Sequence, residues 1–196
     1  EFVEHLRGMF AIAIWDTENQ RFILARDRLG KKPLFYSEKN GQIAFASELK
    51  ALLPWPGLNK SLNREGLHDF LNYMYVPTPS SILSGVRKLK PGHMFVADLS
   101  NGTQRNIRYW IPTFEEDHSL SEADYRSQLR QTINRSVELR LRSDVPLGSF
   151  LSGGIDSTII TGVMSQAGAN CNSFSVGFPD PRFDESGIAR RTASHF

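Results

Sequence analysis

The stretch that most constrains this chain is Ser152-Gly153-Gly154-Ile155-Asp156-Ser157-Thr158, because of what flanks it. Val145-Pro146-Leu147-Gly148-Ser149-Phe150-Leu151 runs in front of it, a short apolar run of strand type. Ile159-Ile160-Thr161-Gly162-Val163-Met164 runs behind it, apolar at helical spacing and closing near Gly168. The pattern reads strand, glycine turn, helix. Asn172 to Phe178 supplies a second strand, and strand, helix, strand at this spacing is a right-handed parallel unit. Ligands in such sheets sit at the carboxyl ends of strands, so the turn and Val176-Gly177 share one edge. Two adjacent glycines let the backbone approach a ligand where a side chain would block it. Asp156, Ser157 or Thr158 then opens the helix, whose free N–H groups and dipole favour an anion. Hydroxyls on Ser152, Ser157 and Thr158 add donors. A bare Gly-Gly-x-Asp-Ser fits equally a phosphate cradle and a tight turn capped by Asp or Ser. The full Ser-Gly-Gly-Ile-Asp-Ser at a strand end favours the phosphate. It is no Walker loop, because no Gly-Lys-Ser/Thr follows, and it lacks the third glycine of the dinucleotide fingerprint.

Residues 8–48 are strand-rich. Phe10 to Trp15 is a near-continuous apolar run, expected to be buried on both faces. Arg21 to Ala25, Leu34 to Tyr36 and Gln42 to Ala46 are the next strands, joined by short antiparallel turns. Ser47 is expected to cap a helix over Glu48 to Leu53, stopped by Pro54 and Pro56. Asn63 caps a helix through Leu67, Phe70, Leu71 and Met74 that ends before Pro77. Pro77 to Ser81 is an extended linker, and Asn101-Gly102 joins a hairpin of Met94 to Ala97 with Arg105 to Trp110. Tyr73 and Tyr75 are read as core residues. Ser119-Leu120-Ser121-Glu122 is a capping box for a helix whose stripe is Tyr125, Leu129, Ile133, Val137 and Leu141, ending at Asp144 to Pro146. The arginines off that stripe are a solvated face, with Arg142 singled out for its closeness to the turn. Phe183-Asp184-Glu185-Ser186 caps the last helix.

The chain's 196 residues fit one to two domains. A net charge of +2 is too small to argue for nucleic acid or an anionic membrane as partner. No apolar run approaches the roughly 20 residues a membrane span needs, and no signal peptide is evident. The lone Cys171 cannot form an internal disulfide, which fits a reducing, cytoplasmic compartment; it is read as a small buried residue. Glu1 to Leu6 and Ile188 to Phe196 read as interrupted helices, so a piece of a longer protein is expected.

The Ser152 to Ser157 loop resembles the pyrophosphate loop of the N-type ATP pyrophosphatases, which cleave ATP between the α- and β-phosphates. Gly8-Met9-Phe10-Ala11, Trp15-Asp16, Arg26-Asp27-Arg28-Leu29-Gly30-Lys31-Lys32-Pro33-Leu34 and Ala46-Ser47-Glu48 resemble the C-terminal half of a class II glutamine amidotransferase domain. Alternating charges in a hairpin are otherwise a solvated turn. The combination is similar to the glutamine-dependent asparagine synthetase family. The resemblance implies an α+β then α/β fold: the C-terminal half of an antiparallel amidotransferase sandwich, then the start of a parallel-sheet ATP-pyrophosphatase domain. The boundaries expected are 1–58 for the glutaminase part, 59–118 for a connector and 119–196 for the synthetase part.

The implied chemistry takes aspartate, glutamine and ATP with Mg²⁺ through β-aspartyl-AMP. Carried over residue by residue, Ser152, Gly153, Gly154, Asp156 and Ser157 hold pyrophosphate, while Leu151 and Val176 contact adenosine. Asp156 helps hold Mg²⁺, and Met9 and Leu151 line an ammonia path near Lys31. A homodimer is the assembly the resemblance admits. The family's N-terminal cysteine nucleophile has no counterpart in Glu1 or Cys171, so this stretch alone is expected to have neither full activity. The alternatives are a related amidotransferase acting on another carboxylate, of β-lactam synthetase type or amidating a surface sugar or peptide, and a non-catalytic ATP-binding module.

Overall fold

The computed structural model describes residues 2–168 and 172–196. The chain divides into two compact units, Glu1–Phe114 and Glu115–Phe196. The readings made at Glu1 and Cys171 lie outside the described residues.

The first unit is built from hairpins. A single 3-10 turn over Phe2–His5, rather than a longer helix, precedes β1 (Ala11–Asp16). β2 (Arg21–Arg26) returns antiparallel to it, Ala11 opposite Arg26 and Asp16 opposite Arg21. β3 (Phe35–Lys39) and β4 (Gln42–Ala46) form the next hairpin. Its turn residues Asn40 and Gly41 both take positive φ, as a two-residue turn between right-twisted strands requires. A short helix α1 (Leu49–Leu52) and helix α2 (Arg64–Tyr73) follow. β5 (Arg87–Lys88) then pairs back onto β3. β6 (His93–Asp98) and β7 (Thr103–Arg108) close the unit. The hairpin at Asn101-Gly102 joins the first sheet through β2, giving the orders β1-β2-β6-β7 and β4-β3-β5.

The two sheets pack on a shared apolar core of Leu24, Leu34, Tyr36, Leu89, Phe95 and Ala97. Phe22 meets Phe45 at 5.2 Å and Tyr36 meets Phe95 at 5.1 Å between ring centroids, each pair bridging the sheets. Beside this core lies a buried polar knot. Asp27 is 1% exposed, and its carboxylate accepts the amides of Phe10, Leu29, Lys31 and Lys32 at 3.3, 3.2, 2.9 and 2.9 Å. The Arg26 guanidinium donates to the carbonyls of Lys32, Leu89 and Gly30 at 2.8, 2.6 and 2.8 Å. Gly30, at φ +65°, has no room for a side chain: a Cβ would stand 2.8 Å from Pro91 Cγ. This loop is a structural latch, and not a solvated turn.

Several local expectations change. β1 is not buried on both faces: Ala13 and Trp15 are exposed and its other four residues are half-buried. Ser47 does not cap α1; Glu48 stands at the N-cap without a side-chain bond. Asn63 is the N-cap of α2, yet its amide donates to the Ser81 carbonyl at 3.0 Å instead of capping. Tyr73 and Tyr75 are 60% and 62% exposed, so they are not core.

The second unit holds α3 (Glu122–Glu138), β8 (Gly148–Phe150), α4 (Ile155–Gln166), β9 (Asn172–Phe174) and α5 (Ser186–His195). The capping box of α3 is Ser121 with Asp124, two residues later than the motif suggested. Asp124 fits because its shorter side chain still reaches the Ser121 amide at 3.0 Å. Only the lower end of the α3 stripe is buried: Val137 is covered, while Tyr125 and Leu129 stay exposed. The helix ends at Glu138, ahead of Asp144. β8 and β9 pair in parallel, Gly148 opposite Asn172 and Phe150 opposite Phe174. Ser149 on β8 is bonded to Thr161 on α4 through buried hydroxyls 3.0 Å apart, which fixes the helix against the strand.

Candidate functional site

The chain leaves β8 through Leu151, which is 1% exposed. The Leu151 amide donates to the Phe174 carbonyl at 2.8 Å, and Ser175 Oγ donates to the Leu151 carbonyl at 2.6 Å. These bonds extend the parallel pairing by one residue and fix where the turn begins. Gly153 takes φ +82°, and a Cβ there would stand 2.6 Å from Ile188 Cγ2 on α5. Its lack of a side chain serves packing between loop and helix. Gly154 takes φ −74° and is the N-cap of α4. A Cβ at Gly154 would meet only Ser152 Oγ, at 3.4 Å. The open side of the turn is therefore at Gly154.

The helix starts at Ile155, so Asp156 and Ser157 lie inside its first turn and do not cap it. The hydroxyls organise the loop from within. Ser157 Oγ donates to the Gly154 carbonyl at 3.1 Å and lies 3.0 Å from Ser152 Oγ. The Ser152 amide donates to Ser157 Oγ at 3.2 Å, and the Gly154 amide to Ser152 Oγ at 3.3 Å. Asp156 is exposed on the outer side of that turn.

Next to the loop is a cleft of about 270 Å³. Leu151, Ser152, Ser157 and Val176, all singled out in the sequence, lie in its walls. Gly153, Gly154 and Asp156 belong to the same loop and first turn but lie outside those walls. Arg142 is exposed and is not part of the cleft. The sequence reading missed the aromatic residues that dominate the walls: Phe150, Phe174, Phe178 and Phe183. Each is more than half exposed, an apolar patch of the kind that marks a ligand face. The signal was available, since Phe174, Val176 and Phe178 alternate at period two and so share one side of an extended segment. Ser175 and Glu185 also line the cleft.

Asp184 holds this segment in place. Its carboxylate accepts the Ser186 amide at 3.2 Å, the Ser186 hydroxyl at 2.9 Å and the Phe178 amide at 3.4 Å. The Ser186 hydroxyl, and after it the Ser186 amide, keep its carboxyl below the ordinary range. One side chain thus ties the aromatic wall to the start of α5, the helix that meets Gly153.

Met9 belongs to the first unit and is 52% exposed. Among the described residues, no group of three or more His, Cys, Asp or Glu side chains converges to hold a metal ion, and no helix is long and apolar enough to cross a membrane. A metal at the loop would draw one carboxylate from Asp156, a donor set suited to an ion that arrives on a phosphate chain.

Comparison with known proteins assigns the two halves. The glutamine amidotransferase domain family matches residues 1–110, and the asparagine synthase family matches residues 128–196. The chain is 37% identical to asparagine synthetase [glutamine-hydrolyzing] 1 of Bacillus subtilis, over 99% of this chain and 30% of that protein. It is 30% identical to a putative asparagine synthetase [glutamine-hydrolyzing] of Methanocaldococcus jannaschii, over 99% of this chain and 38% of the relative. It is 32% identical to the amidase chyE of Penicillium rubens, over 98% of this chain and 31% of the relative. The chain thus spans about a third of the length of these curated relatives.

Proposed function

This chain belongs to the glutamine-hydrolysing asparagine synthetase family, and from that premise we propose that the full-length protein makes asparagine from aspartate, glutamine and ATP. The observation that carries the reading is the loop at the β8 end. It presents, on the side of Gly154, space that no side chain fills, and the first turn of α4, beside an aromatic-walled cleft, in one chain with a glutamine amidotransferase domain. On this reading β8, α4 and β9 open a parallel-sheet ATP-pyrophosphatase domain, and residues 1–58, 59–118 and 119–196 are glutaminase part, connector and synthetase part.

The aspartate β-carboxylate oxygen attacks the α-phosphorus of ATP, the bond to the β-phosphate oxygen breaks, and pyrophosphate leaves. Ammonia from glutamine then attacks the acyl carbon of β-aspartyl-AMP, loses a proton, and AMP departs. In our reading the residues have distinct tasks. The Gly153 and Gly154 amides, the hydroxyls of Ser152 and Ser157 and the α4 N-terminus hold the departing pyrophosphate and stabilise its charge. Leu151 and Val176, with the phenylalanines around them, take the adenosine. Glu185 supplies acceptors for hydroxyls. Asp156 supplies one ligand to Mg²⁺, which neutralises phosphate charge when bound. Met9 and Leu151 line the ammonia path. The cytoplasm is the proposed compartment and a homodimer the proposed assembly, the latter checked by light scattering.

The isolated chain is proposed to have neither full activity. The amidase relative favours keeping the acceptor carboxylate as a variable, of β-lactam synthetase type or on a surface sugar or peptide. The test is release of AMP and pyrophosphate by the full-length protein given ATP, glutamine or ammonia, and aspartate or another carboxylate. Aspartate-dependent release with asparagine as product is expected. ATP bound without pyrophosphate release from any acceptor would leave only a binding module.

A further inference from the structure

The first unit carries a second concave site that this chemistry leaves unused. A cleft of about 460 Å³ opens between β5, at the edge of one sheet, and β7, at the edge of the other. Arg87, Lys88 and Lys90 line one side, and His93, Asn106 and Arg108 the other. The register explains the convergence. Arg87 stands opposite the buried Tyr36 across β3 and β5, and His93 stands opposite Arg108 across β6 and β7. Asn106 and Arg108 are two apart on β7 and so project to the same face.

Four permanent cations therefore meet in one small cleft. Among the described residues, no carboxylate lies within ion-pair distance of any of them. Glu38 lines the adjoining hollow with Arg87. Lys88 is committed inward: its ammonium donates to the Val76 carbonyl and lies 5.9 Å from the Phe35 ring centre. Burial first, and then the Arg26 charge, lowers its pKa. His93 Nδ1 lies 2.7 Å from the Pro91 carbonyl, which leaves Nε2 available to the cleft. Arg87 and Asn106 each make a side-chain hydrogen bond with Tyr36, so Lys90 and Arg108 are the charges least engaged elsewhere. Like charges held together raise the free energy of the unit, and an anion between them removes that cost. Guanidinium forks suit phosphoryl oxygens, and the volume suits a small ligand rather than a polymer.

We propose that this cleft binds a small polyphosphate anion, either free pyrophosphate or the phosphate chain of a nucleotide. The site shares no lining residue with the cleft beside the Ser152 loop, and within this chain lysine chemistry reports on it and not on that loop, because residues 91–196 hold no lysine. The experiment is acylation footprinting of the full-length protein, read peptide by peptide in a mass spectrometer, with and without pyrophosphate or ATP. Either anion should slow modification of Lys90 about tenfold while Lys50 and Lys60 keep their rates. Pyrophosphate protecting alone assigns the free anion, and ATP protecting alone assigns the nucleotide. The double variant Arg87→Ser, Arg108→Ser should lose the protection. Equal Lys90 rates with and without both anions overturn the proposal, as does protection that survives in a folded double variant. The wild-type footprint decides by itself if that variant fails to fold.

Discussion

At Gly153 the backbone sits at φ +82° with Ile188 Cγ2 where a methyl group would go, whereas Gly154 has ordinary φ and open space. The two glycines should respond differently to the same change. Gly153→Ala should destabilise the second unit by about 2–4 kcal/mol, from the left-handed backbone and the clash together. Gly154→Ala should change stability by less than about 1 kcal/mol but weaken pyrophosphate release, since it crowds the edge a phosphate would approach. Urea unfolding and a pyrophosphate assay on the full-length protein separate the two. The motif did not reveal this division, because a glycine's reason depends on which atoms face it. Asp27 is the other instructive residue. Burial pushes its carboxyl upward, but the amides of Lys32, Lys31, Phe10 and Leu29 together hold it below the ordinary range. A folded-state value below the unfolded one means the stabilisation is complete above about pH 4 and is lost as pH falls through the folded value. Asp27→Asn should cost about 3 kcal/mol at neutral pH and flatten that acid limb, as denaturation between about pH 2 and pH 6 would record.

Among the elements, those with strong local signals were legible. β2, β4 and the hairpin at Asn101-Gly102 lie where alternation and turn residues put them. So does the parallel pair bridged by α4. Element ends were less legible, since helix starts depend on which side chain reaches a free amide. Ser157 falls inside the first turn of α4 rather than at its N-cap, and Asn63, although at the N-cap of α2, turns its side-chain nitrogen to the Ser81 carbonyl and makes no side-chain cap bond. Asp184 shows the reverse case, a loop residue that fixes two elements. Asp184→Ala should free the Phe178 segment and the α5 start and weaken nucleotide binding about tenfold. Calorimetric titration of the full-length protein with ATP checks it. An unchanged affinity would mean that the aromatic wall is held without Asp184.

At the scale of the molecule, the two units match different families, the glutamine amidotransferase domain over residues 1–110 and asparagine synthase over residues 128–196. Asp156→Ala in the full-length protein should abolish pyrophosphate release and leave glutamine hydrolysis intact, measured as ammonia production. Retained synthesis would refute the role proposed for the loop. Family membership and the order of the strands and helices other than β5 were already determined by the sequence, because glycine turns, hairpin residues and apolar periodicity act through neighbours in the chain. The latch at Arg26 and Asp27, the aromatic wall beside the loop and the basic cleft between the sheet edges were decided only by tertiary structure. Each joins residues that are far apart in the chain or face different partners, and only the packing of one element on another determines which atoms meet there.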